Sequence, residues 1–325
     1  MPTLLLTHEA CLAHDTGDAH PESAERLRAV LARLRGDEFS GLEWREAPHV
    51  THDQLGRVHH KSHVKKILGH LPASGRSNLG AGTIVSPGSG EAALRAAGAV
   101  CAAVDAVACG DATNAFCVVR PPGHHAGPAQ AMGFCLFNNV AIGAAHARAA
   151  HGFGRVAIID FDVHHGNGTQ AIFRRDPDTF FASVHQWFIF PKSGWRNETG
   201  VGNIVNVSLS RGDNGKAFRE AMVSEIYPAL RSFEPQFLFL SAGFDAHVGD
   251  PLGDLKLNDS DFAGITRDLL EMAAELCGGR VVSVLEGGYN PLCLASSCAA
   301  HVRELQNASA AADIGLGAKR AGAAR

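Results

Sequence analysis

Several stretches of this chain place metal-binding or proton-moving residues at close, regular spacing. Asp160-Phe-Asp162-Val-His164 alternates potential ligands with apolar residues. In extended chain, positions i, i+2 and i+4 share a face, so Asp160, Asp162 and His164 are expected to line up while Phe161 and Val163 pack the other way. With Asp245, from the segment SAGFDAH, two carboxylates and an imidazole form a three-donor set. That set suits Zn²⁺ with a fourth position left open, the catalytic rather than the structural type. His124 and His125 follow Pro121-Pro122-Gly123, a stiff turn able to hold both rings in place. Two imidazoles beside an acidified water are a natural proton acceptor and donor. Tyr289, after Gly287-Gly288, can donate its phenol to a developing oxyanion. Each motif alone has a plainer reading: a helix cap, a buried hydrogen-bonded pair, a surface histidine, a half-buried aromatic. Their joint placement decides.

That placement follows from the elements. Apolar, strand-length runs recur at Thr3–Leu6, Trp44–Ala47, Ala115–Val119, Val156–Asp160, Thr179–Val184, Ile204–Leu209, Phe237–Ser241 and Val281–Leu285. Most are continuous rather than alternating, as strands buried on both faces are. Segments of helical period separate them: Glu22–Leu34, Asp53–Leu68, Gly90–Ala108, Asn138–Ala149, Lys216–Phe233, Asp259–Cys277 and Leu292–Leu305. Asp259-Ser260-Asp261 reads as an N-cap cluster and Gly278-Gly279 as a helix stop. The alternation predicts an α/β fold with a mostly parallel eight-stranded sheet covered on both faces. A closed barrel would also use eight strands, but no helix fits the Gly-, Pro- and aromatic-rich stretch between Val184 and Ile204, which favours an open, doubly wound sheet. RPPGHHAG, DFDVHHGNGTQ, SVHQ, SAGFDAH and EGGYN each follow a strand. The carboxyl ends of such strands form one rim, where ligands bind.

Composition sets outer limits. The 325 residues are 46% hydrophobic and 19% charged, with 36 Gly, 18 His and a net charge of −4, which fits a globular domain and offers no basic surface for nucleic acid. Eight cysteines without a CxxC pair argue against a disulfide framework and against a zinc knuckle. The N-terminus lacks a basic n-region, no segment reads as a membrane span, and the expected compartment is cytoplasmic. One domain is expected over 1–307, with a flexible tail over 308–325. His59, His60 and His63 have helical spacing but no accompanying carboxylate, and read as core or solvated residues.

RPPGHHA, GFCLFNN, DFDVHHGNGTQ, SAGFDAH and EGGYN together resemble the signature set of the histone deacetylase superfamily, in its class II-like branch of bacterial deacetylases and acetylpolyamine amidohydrolases. The resemblance covers about Leu4 to Leu305. It implies the arginase/deacetylase fold, a three-layer sandwich around an eight-stranded, mostly parallel sheet. It makes Asp162, His164 and Asp245 the zinc ligands, one Zn²⁺ per chain, and Tyr289 the oxyanion donor. His125 takes the general base and acid role and His124 the electrostatic one, with Asp160 accepting from His124 and Asn167 from His125. Gly133, Phe134 and Phe190 become channel walls. Asp160, Ser183 and Val184 match an inner K⁺ site, and Phe173, Asp176 and Thr179 an outer one. Arg26 lines an internal cavity. Ala24 departs from the Pro common at that position of the family.

The implied reaction is zinc-assisted hydrolysis of acetyl-lysine, or of a related acetylated amine, to free amine and acetate. Acetylpolyamine amidohydrolase activity is the alternative. Polyamine-selective members place a Glu after the second zinc Asp, where this chain has Leu252. That favours acetyl-lysine in peptides or proteins unless Asp250 turns its carboxylate toward the substrate. A binuclear manganese ureohydrolase would need bridging carboxylates in place of the His pair, and a silent acyl-lysine reader would not keep Tyr289, His125 and the three ligands together. The oligomeric state stays open between monomer and homo-oligomer.

Overall fold

The computed structural model describes the backbone of residues 1–323 and the side chains of residues 1–312. In chain order the strands are β1 (Thr3–Thr7), β2 (Glu43–Glu46), β3 (Ser77–Asn78), β4 (Ile84–Val85), β5 (Asn114–Cys117), β6 (Val156–Asp160), β7 (Thr179–Gln186), β8 (Ile204–Leu209), β9 (Phe237–Ala242) and β10 (Val281–Leu285). The α-helices are α1 (Ala24–Leu34), α2 (His52–Gly56), α3 (Lys61–Gly69), α4 (Ser89–Cys109), α5 (Asn139–His151), α6 (Asn167–Phe173), α7 (Gly215–Ala221), α8 (Tyr227–Phe233), α9 (Asp259–Cys277) and α10 (Pro291–Ala323).

Eight strands form one sheet in the order β2-β1-β5-β10-β9-β6-β7-β8, and every pairing in it is parallel. β3 and β4 pair separately as a short antiparallel ribbon. The central strands are buried along their whole length, which explains why their sequences are apolar without alternation. β9 and β10 insert between β5 and β6, so the chain crosses over the middle of the sheet there. Loops leaving the carboxyl ends of these four strands meet above that crossover, the usual place for a ligand in an open α/β sheet.

Local signals explain most element ends. Asn258, one residue before the expected cap cluster, closes a capping box with Asp261, and Gly278 ends α9 at φ +63°. The single helix expected over Asp53–Leu68 is two. A Thr51/Gln54 capping box opens the short α2, which ends at Gly56, and the His60 N–H bonds the Pro128 carbonyl before α3 starts. The run Lys216–Phe233 is α7 and α8 joined through a π turn at Met222–Ile226, which ends two residues before Pro228, a residue with no N–H for a regular turn. α6 was not expected, because its opening Asn-Gly pair reads as loop.

Two expectations need correction. α4 is long and apolar enough to cross a membrane by length and composition, yet two thirds of its most apolar window is buried inside the fold against the sheet and α5. The helix expected to end at Leu305 continues as α10, and the Ser309 hydroxyl bonds Thr3 while accepting from Asn114. The stretch expected to be a loose tail from residue 308 therefore begins as packed helix, and the side chains from residue 313 lie outside the described residues.

Candidate active site

Asp162, His164 and Asp245 are buried and bring one donor atom each within 4.8 Å of one another. His164 Nδ1 lies 3.1 Å from Asp162 Oδ1 and 3.0 Å from Asp245 Oδ2. The geometry differs from a simple extended face. β6 ends at Asp160, and the chain then turns on its own carboxylates: the Asp162 N–H donates to Asp160 Oδ1 at 3.2 Å and the His164 N–H to Asp162 Oδ1 at 2.9 Å. Asp160 thereby points away from the trio, toward His124. Phe161 and Val163 are fully buried, as expected.

Backbone N–H groups aim the remaining carboxylate oxygens, Gly287 onto Asp162 Oδ2 at 2.8 Å and Val163 onto Asp245 Oδ1 at 2.8 Å. A Cβ at Gly243 would collide with Asp162, and one at Gly287 with both carboxylates, so bare backbone is required against this cradle. Burial disfavours a charged His164, but hydrogen bonds to Asp162 and Asp245 outweigh it and raise its pKa to about 10. Burial and the neighbouring Asp162 charge push Asp245 up to about 7. Two carboxylates crowded onto one imidazole call for a positive charge between them, and the N/O donor set fits a zinc ion.

The histidine pair stands alongside, ring centroids 4.0 Å apart. His124 Nδ1 donates to Asp160 Oδ2 at 2.9 Å and His125 Nδ1 to Asn167 Oδ1 at 2.7 Å, so the partners fix each tautomer. Their environments pull them apart. Burial works against a charged His124, but Asp160 and Asp162 hold its pKa well above the imidazole range. Burial and the charges of His124 and His164 push His125 well below it. Such divergence separates an electrostatic partner from a neutral base.

Above them lies a pocket of about 270 Å³ lined by His125, Gly133, Phe134, His164, Phe190, Leu252 and Tyr289, with Ala81 and Ile189. Phe190 meets the His125 ring edge to face at 5.0 Å, and Phe134 meets the Tyr289 ring at 5.7 Å. Gly133, at φ +55°, leaves no room for a Cβ beside His125 and Phe190. Burial, then the Asp245 charge, raises the Tyr289 phenol well above its ordinary value, which keeps it a proton donor.

Around this site Glu286, Glu22 and Arg120 have no role in the sequence reading, and several other groups gain specific partners. Glu286 accepts the Gly123 N–H at 2.7 Å and the His124 N–H at 3.1 Å, fixing the histidine turn to the end of β10. Buried Glu22 pairs with Arg120 and Arg26, and Arg26 stacks 4.9 Å over the Tyr289 ring while donating to the carbonyls of Gly288 and Glu286. The legible signal was a charged residue inside an apolar or Gly/Pro run, as in LEGGY and VVRPPG. His59 and His63 are buried and bond the Gly127 and Leu136 carbonyls, bracing the loop that carries Gly133 and Phe134. His165 and His185 hold Ser193 and Gly194 beside Phe190.

For the cation residues, strand register sets Asp160 beside Ser183, followed by Val184. The carbonyls of Phe173, Asp176 and Thr179 converge on Asn203 Nδ2 at 2.9, 2.9 and 2.7 Å.

A carboxylate-imidazole-carboxylate cradle, a histidine pair with divergent proton affinities and a phenol at the end of a narrow pocket define a metal-assisted amidohydrolase of the α/β class. The histone deacetylase domain model matches residues 20–305. The chain is 41% identical to the histone deacetylase-like amidohydrolase of Pseudomonas aeruginosa, over 83% of this chain and 72% of that one. It is 37% identical to polyamine deacetylase HDAC10 of Homo sapiens over 94% of its own length, and spans about half (48%) of that protein. The crystal structure of the HDA15 HD domain superposes with a TM-score of 0.86 at 36% identity, covering 93% of this chain and 90% of that one. This chain belongs to the histone deacetylase family, whose members are in general zinc-dependent, and its fold is the arginase/deacetylase fold.

Proposed function

We propose that this enzyme hydrolyses the amide of acetyl-lysine in peptides or proteins, with one zinc per chain. The observation that carries the substrate assignment is the mouth of the pocket. Leu252 and Phe190, 36% and 38% exposed, flank it, and no carboxylate is among the lining residues. Asp250, the acid two residues before Leu252, spends both oxygens on the backbone N–H groups of Tyr289 and Leu252. An apolar mouth grips the methylenes of a lysine stem and gives a polyamine no charge to read.

Asp162, His164 and Asp245 hold the metal in this reading. Zinc bound there supplies Lewis-acid polarisation of the amide carbonyl and acidification of water toward neutrality. His125, its Nδ1 proton committed to Asn167, presents Nε2 to accept the proton of the attacking water. Tyr289 donates its hydroxyl hydrogen bond to the oxygen that gains charge. The proton gathered on His125 then passes to the leaving amine. His124, held by Asp160, supplies positive charge beside the reacting carbonyl. Phe134, Phe190 and Gly133 exclude water along the stem. We also assign K⁺ to the neighbourhood of Asp160 and Ser183; a thermal midpoint that is the same in KCl and in choline chloride would overturn that assignment.

The test of substrate is kcat/KM on acetyl-lysine peptides against N-acetylspermidine and N-acetylputrescine. Preference for the peptides by tenfold or more is expected. A polyamine preference would transfer the assignment to acetylpolyamine hydrolysis, the activity for which the human relative is named.

A further inference from the structure

Asp250 is buried to 9% exposure, yet it neither lines the pocket nor belongs to the metal cradle. One oxygen accepts the Tyr289 N–H at 2.6 Å and the other accepts the Leu252 N–H at 2.9 Å. A single carboxylate therefore joins the backbone carrying the oxyanion donor to the backbone carrying the mouth residue.

The turn that bears Tyr289 needs such a fixture. It runs Glu286-Gly-Gly-Tyr-Asn outside any strand or helix, and Gly288 sits at φ +125°, a conformation that L side chains rarely adopt. Arg26 holds the carbonyls before Tyr289 and covers one face of its ring. Nothing in that arrangement fixes the Tyr289 N–H, and Asp250 does. The Asp250 loop is anchored in turn: the Asp250 N–H donates to the His247 carbonyl at 2.9 Å, the Gly249 N–H to His247 Nδ1 at 3.0 Å, and Asn290 Nδ2 to the Gly249 carbonyl at 3.0 Å.

We propose that Asp250 is a positioning residue for catalysis, holding the Tyr289 hydroxyl where the oxyanion develops and moving the Leu252 mouth and the phenol as one unit. The proposal rests on the reading of Tyr289 as oxyanion donor. Its consequence is that Asp250 acts on turnover through Tyr289 rather than on substrate charge.

A double-mutant cycle tests it in the zinc-loaded full chain, using Asp250→Ala, Tyr289→Phe and the combination, each on an acetyl-lysine and a trifluoroacetyl-lysine peptide. Asp250→Ala is expected to lower kcat on the acetyl peptide by about 10- to 100-fold, as loss of a supporting hydrogen bond does, with zinc content kept and KM within about threefold. In the Tyr289→Phe background the same change is expected to cost less than about threefold, because residues acting as one unit are not additive. The loss should shrink on the trifluoroacetyl peptide, whose less basic oxyanion depends less on a donor. Equal losses in both backgrounds, or wild-type kcat in Asp250→Ala, overturn the proposal while leaving the Tyr289 assignment standing. Wild-type kcat in Tyr289→Phe overturns that assignment and this proposal with it. Should Asp250→Ala fail to fold, the isosteric Asp250→Asn, which loses one of the two acceptors, carries the same cycle.

Discussion

Asp162, His164 and Asp245 gather at the rim of the sheet, while Asp105, His146 and His151 gather between α4 and α5, and both trios bring their donor atoms within 4.8 Å. The two are built in opposite senses. At the rim, one imidazole nitrogen faces two carboxylates that backbone N–H groups have already oriented, so negative charge converges on one point. Between the helices, His146 Nε2 and His151 Nε2 both point at the same oxygen, Asp105 Oδ1, each at 2.7 Å. Arg57 Nη1 donates to His146 Nδ1 at 2.9 Å, and Arg57 is itself tied to Asp53. Since Nδ1 must accept from Arg57, the His146 proton sits on Nε2, the nitrogen a metal would need. Proximity of ligand-type residues is thus not sufficient: at the rim a metal ion can replace the proton that His164 Nδ1 shares between two carboxylates, whereas between the helices Arg57 fixes the proton on His146 Nε2.

The comparison breaks most visibly if the metal follows the wrong trio. Asp245→Ala is expected to take zinc, measured by elemental analysis, from about one per chain to near zero and to reduce hydrolysis to background, whereas Asp105→Ala leaves both unchanged. Zinc retained in Asp245→Ala, or lost in Asp105→Ala, would reverse the assignment. Next in size, His125→Ala is expected to lower kcat by about 10²–10⁴ with zinc retained. Tyr289→Phe is expected to lose about 10²–10³ in steady-state turnover of an acetyl-lysine peptide. Asp160→Asn, which removes the charge behind His124, should cost about 10- to 100-fold in metal affinity or kcat/KM, measured by chelator competition and initial rates.

The smallest effect belongs to the outer trio. Burial opposes ionisation of Asp105, but hydrogen bonds from His151 and His146 hold its pKa below the ordinary value. A carboxylate with a lower pKa folded than unfolded stabilises the fold above its unfolded pKa of about 3.9, and the benefit is lost as pH falls through the folded value. Asp105→Asn should therefore be slightly less stable than wild type near pH 6, by roughly a few tenths of a kcal/mol at this half-exposed, solvent-screened carboxylate, and the difference should shrink as pH falls through the folded pKa. A difference that persists or grows in acid would assign the stability to packing instead.

The motifs of the rim were legible because each follows an apolar strand, and a parallel sheet brings such segments to one edge. The open sheet was legible from the helix-poor stretch between Val184 and Ile204. The direction of Asp160 was not: extended alternation predicts a shared face with Asp162 and His164, but carboxylate-to-backbone bonds bend the chain after β6 and hand Asp160 to His124. The split of α2 from α3 escaped for a similar reason, since it depends on a bond from His60 to Pro128, far along the chain. Nor did the sequence show where the Asp250 carboxylate would turn; two backbone N–H groups hold it inward, away from the mouth.

By itself, the order of residues determined the strand and helix alternation, the parallel sheet, and the presence at its rim of candidate ligands, a histidine pair and a phenol. These follow from hydrophobic period and from residue type, which are local properties. Tertiary structure alone decided which nitrogen each imidazole protonates, which carboxylates face the centre, and that one Asp/His trio forms a cradle while the other forms a strut. Those outcomes depend on hydrogen-bond partners separated by tens to hundreds of residues. Such partners meet only when the sheet and its covering helices have packed.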